Sequence, residues 1–108
     1  QWGKANARSR EEGTAYLIAA ARAAGAERFL AQSIAWTPAA GNESRENLEA
    51  QVLAYEGIGV VLSYGQFYGP STYHEAPPDP PRIEVTEAAR RTVDLLDAPS
   101  GIVEIVED

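Results

Sequence analysis

The sequence predicts a small α/β domain, a parallel sheet of about three strands flanked by helices, with residues 1–108 forming one unit. Three observations carry this prediction. Segments with helical apolar spacing alternate with short apolar runs, glycine and proline punctuate the boundaries, and Val60-Val61-Leu62 is apolar without interruption. Such a continuous run suits a strand covered on both faces, as in a parallel sheet.

The elements follow in order. From Arg8 to Ala24, Thr14, Leu17, Ile18 and Ala21 recur at helical spacing, with Arg8, Arg10, Glu11, Glu12 and Arg22 on the wet face. Gly25 is placed to end that helix in a left-handed conformation. RFLAQSIAW is too short for another helix before Pro38, and a strand is expected at about Arg28 to Ser33. TPAAGN is a loop by composition. In ESRENLEAQVLAYEG, Leu48, Val52 and Tyr55 line one side of a second helix closed by Gly57, and IGVVLS is the next strand. Strand, helix, strand is a βαβ unit.

The stretch from Ser71 to Arg82 is rich in proline and reads as a stiff loop, since proline fits neither a helix interior nor a central strand. RIEV adds a short extended segment. TEAARRTVDLLDAPSG then predicts a third helix, with Thr86 as N-cap, Ala89, Val93 and Leu96 as the buried stripe, and Pro99 with Gly101 as terminator. IVEIV is the last strand. Helix one has no strand before it to cover, which implies a shortened fold or a partner that supplies the rest.

Charge and composition exclude several function classes. Sixteen acidic residues against nine basic ones give a formal net charge of -7, and Lys4 is the single lysine, so binding to nucleic acid or to an anionic membrane surface is disfavoured. Without cysteine there is no disulfide, thiolate nucleophile or thiolate-held zinc. No run approaches the roughly 18 apolar residues of a membrane span, and QWGKANARSREEG lacks a secretion signal's apolar centre. A soluble, cytoplasmic protein is expected.

Three stretches resemble, in this order, the later half of the NAD(P)-dependent epimerase/dehydratase family, the extended short-chain dehydrogenases: EGTAYLIAAARAAGAERFLAQSIAW, GIGVVLSYGQFYGPSTYH and EAARRTVDLLDAPSGIVEIVED. The pairing of AQSIAW with the segment running into YGP is the most specific match. The resemblance implies NAD or NADP as cofactor and a small-molecule substrate such as a nucleotide sugar. It places Ser33 as a catalytic hydroxyl near the reacting carbonyl, Tyr64, Gln66, Phe67 and Tyr68 beside the nicotinamide, and Tyr73 and His74 on the substrate side. The family's GxGxxG turn has no counterpart in this sequence. Its Tyr-x-x-x-Lys pair is replaced by Glu43-Ser44-Arg45-Glu46-Asn47, an arginine of the family's pattern is Ser63, and the substrate-binding insertion is reduced to STYHEAPPDPPRIEV. The resemblance therefore implies a shortened relative that is inactive alone.

Each candidate has a plainer alternative. Gly65, Gly69 and Pro70 turn the chain after a strand, and the rings around them cap a small core as readily as they line a pocket. His74 is a surface residue or a general base, and Glu75 and Asp79 are held apart from it by prolines, so no metal site is expected. Ser33 donates to an oxyanion or satisfies local backbone. Glu43, Glu46 and Glu49 form a solvated helix flank, and EIVED ends a strand in an acidic tail. The alternative to an enzyme is a non-catalytic α/β module that assembles, as a homodimer, through an open sheet edge.

Overall fold

The computed structural model describes residues 2–37 and 41–107, with side chains from residue 9 onward. The elements run α1 (Trp2–Ala23), β1 (Arg28–Ile34), α2 (Glu43–Leu53), β2 (Ile58–Tyr64), β3 (Gln66–Tyr68), β4 (Arg82–Glu84), α3 (Val85–Val93) and β5 (Gly101–Ile105). The predicted α/β class and three-stranded parallel sheet are present: the order is β1-β2-β5, with Arg28 opposite Ile58, Ser33 opposite Ser63, and Leu62 opposite Val103. The RIEV segment pairs as β4 with β3 in a second, two-stranded parallel sheet that the linear pattern did not foreshadow.

Alternation along the strands divides the core in two. On one face Val60, Leu62 and Tyr64 pack with Ile83, Ala88 and Ile105, and Leu30, Phe67, Leu95 and Val103 lean on that cluster. On the other face Val61 is fully buried, as is Val52 of α2, and the Tyr55 ring lies 5.7 Å from that of Phe29. The expectation that β2 is covered on both sides therefore holds. Each fully buried Val or Ile stabilises the fold by about 1.5–3 kcal/mol before conformational entropy is subtracted.

Two glycines mark close approaches. A Cβ at Gly59 would run into the Val52 carbonyl oxygen of α2, and one at Gly57 into the Glu27 carbonyl oxygen just before β1, so β2 meets α2 and the entry to β1 only where side chains are missing. Gly57 thus serves packing rather than closing α2, which already ends at Leu53 with Ala54 as its C-cap. Gly25 follows α1 at φ +73, the left-handed geometry expected of it.

Several details differ from expectation. Helix α1 begins upstream of Arg8, through Lys4, Ala5 and Ala7, which are good helix formers. It packs chiefly on α2, so its buried stripe is narrow. Thr14 and Ile18 are covered, whereas Leu17 remains 64% exposed. Strand β4 runs directly into α3, so the N-cap is Glu84, whose carboxylate accepts from the Glu87 N–H at 2.9 Å, rather than Thr86. The buried stripe of α3 is displaced by one residue. Ala88 and Thr92 face the sheet, as does Leu95 in the turn that follows α3, while Ala89, Val93 and Leu96 are exposed. Residues 38–40, within the predicted TPAAGN loop, lie outside the described residues, and no helix among the described residues is long and apolar enough to cross a membrane.

Candidate ligand groove beyond the strand ends

The candidate site grows out of the end of β2. Tyr64 closes the strand, and Gly65 passes so near Arg82 that an added Cβ would sit 2.7 Å from its backbone nitrogen. This contact delivers Gln66–Tyr68 to β4. Gly69, at φ +129, then reverses the chain, and Ser71 adopts a left-handed φ of 69. The reversal is clamped: the Gly69 N–H donates to the His74 carbonyl at 2.9 Å, and the Thr72 hydroxyl lies 2.7 Å from the carbonyl oxygens of both Gly69 and His74.

Between this loop and the end of β1 lies a groove of about 390 Å³ lined by Trp36, Gln66, Phe67, Thr72, Tyr73 and His74. The Ala35 N–H donates to the Tyr64 carbonyl at 2.8 Å, which holds the Trp36 segment at the end of β2. Tyr73 and His74 stack at 4.8 Å, and Phe67 rests on Tyr64 at 5.3 Å. Of the sequence candidates, Gln66, Phe67, Tyr73 and His74 come together here.

Ser33, Tyr64 and Tyr68 stand elsewhere. Tyr64 belongs to the core on the α3 face, not to the groove lining. Thr92 gives its single hydroxyl proton to the Ala88 carbonyl at 2.8 Å, so the Tyr64 hydroxyl donates to Thr92 across 2.5 Å. Ser33 is buried on the α2 face, where its hydroxyl donates to Glu49 Oε2 at 2.9 Å. That proton is already committed. Glu49 is accordingly a partner of β1 and half-buried, while Glu43 and Glu46 are exposed, as a solvated flank requires.

Tyr68 turns from the groove to Glu107, donating its hydroxyl to that carboxylate. Glu107 also accepts from the Glu84 N–H at 3.1 Å and pairs with Arg82 at 3.4 Å. The Tyr68 bond, aided by Arg82, holds the Glu107 carboxyl below its ordinary range, and the same bond followed by burial raises the Tyr68 phenol. Glu107 is thus not part of a free acidic tail. Among the described residues no three acidic or histidine side chains converge to hold a metal ion.

Trp36 and Thr72 are not among the sequence candidates, and the sequence pattern places Glu49 on a solvated flank and Glu107 in an acidic tail. Trp36 had a visible signal, an aromatic residue directly after a strand that ends at the ligand-binding side of a parallel sheet. Thr72 acts through local bonds to the Gly69 and His74 carbonyls, and Glu49 and Glu107 act through contacts between distant elements.

No family model matches the chain, and no solved structure matches it. Among curated proteins the chain is similar to a 3-diazoavenalumate denitrifying reductase of a Streptomyces species, at 39% identity over a stretch covering 61% of this chain and 29% of that protein. The chain thus spans less than a third of that relative's length.

Proposed function

We propose that this chain forms the nicotinamide-side and substrate-side wall of an NAD(P)-linked oxidoreductase related to the epimerase/dehydratases. The carrying observation is the aromatic groove directly beyond the carboxyl ends of β1 and β2, where open parallel sheets bind ligands. Similarity to a protein named as a reductase supports the same class of chemistry. The groove fits a flat ring such as nicotinamide. It does not fit a pyrophosphate, because no lysine or arginine is among the described residues lining it. Residues outside the groove would have to hold the phosphates of NAD or NADP. Hydride transfer would be the cofactor's chemistry, and these side chains would orient the ring and exclude water.

Trp36 makes a direct test possible. Titration with NADH or NADPH should quench tryptophan emission and sensitise emission from the dihydronicotinamide. Trp36→Phe should lower the sensitised signal several-fold. Silence towards all four oxidised and reduced nucleotides at millimolar concentration would overturn the proposal.

A second function is supported by the outer edge of β1, which no strand among the described residues covers. The inward-facing groups are those of Glu27 and Ala35, which bond to Ile58 and Tyr64, so Leu30 and Gln32 point their N–H and C=O groups outward. That edge would pair two copies into one continuous sheet. Light scattering should then show a dimer that Gln32→Pro converts to a monomer, since proline there removes an outward N–H only. A monomeric wild type at high concentration refutes the assembly.

A further inference from the structure

We infer that the substrate taken by the groove is a planar aromatic compound carrying at most one or two polar substituents, not a nucleotide sugar. The inference rests on the placement of the substrate wall proposed above and specifies its chemistry. Four of the six lining residues, Trp36, Phe67, Tyr73 and His74, present rings. Flat ligands gain most from such walls, through offset and edge-to-face contacts that depend on ring orientation.

The surface that the lining exposes is mainly apolar, with the polar groups of Trp36, Tyr73 and His74 confined to ring edges. The Thr72 hydroxyl is taken up by the Gly69 and His74 carbonyls that it clamps. Gln66 is less engaged, since its side-chain nitrogen donates only to the Asp79 carbonyl at 3.4 Å among the described residues. One amide can serve a single hydroxyl, carbonyl or amine on a ring. A hexose brings several hydroxyls, and each one buried without a partner opposes binding. A nucleotide sugar's diphosphate, like that of NAD or NADP, would have to be held outside a wall without lysine or arginine, on a chain of net charge -7, so the groove itself selects for the ring and not for the phosphates. At about 390 Å³ the groove also lies near the small end of ligand sites, which span roughly 300–1,000 Å³.

The walls are held before any ligand arrives. Phe67 is braced by Tyr64, Tyr64 by Thr92 of α3, and the Tyr73-His74 stack by the clamped loop. Tyr73 itself is 89% exposed, so its ring surface is open to a bound ring.

The test uses cinnamyl alcohol as a neutral planar probe and UDP-glucose as the competitor class. Cinnamyl alcohol should saturably quench Trp36 and shift the ring resonances of Tyr73 and His74, while UDP-glucose should do neither. Tyr73→Ala, which removes an exposed ring and leaves the core intact, should weaken the probe by about tenfold, the scale of a good aromatic contact at a binding site. Probe binding that Tyr73→Ala and Trp36→Phe both leave unchanged would overturn the inference, as would UDP-glucose binding more tightly than the probe. Parallel titration with NADPH separates the two proposals. Nucleotide binding without probe binding sinks the aromatic substrate alone, and probe binding without nucleotide binding sinks the cofactor alone.

Discussion

The Ser33-Glu49 hydrogen bond decides what Ser33 can do, and it can be weighed by a double-mutant cycle. The bond is 2.9 Å long, its donor is 7% exposed and its acceptor is a half-buried carboxyl. A hydrogen bond to a charged partner contributes about 1.5–3 kcal/mol, and partial solvent access at Glu49 places this one at about 1.5 kcal/mol. Ser33→Ala should therefore lower the melting temperature by about 4–8 °C per kcal/mol lost, the range for a domain of this size. Glu49→Ala should cost a similar amount plus its packing. The double variant should show a coupling of about 1 kcal/mol, because the second truncation has no bond left to break. Urea unfolding of the four proteins at constant pH measures all the terms. Additivity within about 0.3 kcal/mol would refute the assignment and free the Ser33 proton for an oxyanion.

The other predictions concern packing, the chain end and the loop. Gly59→Ala drives a methyl into the Val52 carbonyl and should cost about 3 kcal/mol, seen as a fall in the urea midpoint; an unchanged midpoint contradicts the α2-β2 contact. Glu107, held below its ordinary 4.5, contributes stability that is present above pH 4.5 and lost as pH falls through its lower folded value. Tyr68, raised above 10.0, contributes below pH 10.0 and loses its share as pH climbs through the higher folded value. Tyr68→Phe should flatten both limbs of the stability-pH curve, the acid limb only in part because Glu87 is also lowered by Arg90; superimposable curves count against the pair. Thr72→Ala should loosen the loop by about 1 kcal/mol and speed hydrogen exchange at the Gly69 amide, and unaltered exchange there would show that the clamp is idle.

The three main strands were legible because their signal is local. Arg28-Ile34, Ile58-Tyr64 and Gly101-Ile105 are short apolar runs bounded by glycine or by a helix end, and their register follows from burial. The phase of α3 differs by one residue from the expected stripe because apolar residues in and just after the helix come in adjacent pairs, Ala88-Ala89 and Leu95-Leu96, which satisfy two neighbouring stripes equally. Thr92 settles the phase. It reads as polar, yet faces inward because its proton is spent on Ala88 and its oxygen serves Tyr64. Glu49 and Glu107 were illegible for another reason. Their partners lie 16 and 39 residues away, and composition alone gives a helix flank and an acidic end.

Ser33 and the groove also divide between the two faces of the sheet, which constrains any shared chemistry. Ser33 faces α2, whereas Tyr64 and the Phe67 ring resting on it face α3. A ligand reaching both must cross the carboxyl edge of β1 and β2 rather than sit on one face. Trp36 stands at that crossing, one residue beyond the Ala35-Tyr64 hydrogen bond that joins the two strand ends. Its ring is thus better placed than Ser33 to contact whatever the groove admits. Hydroxyl chemistry at Ser33 would first require Ser33 to withdraw the proton that it donates to Glu49.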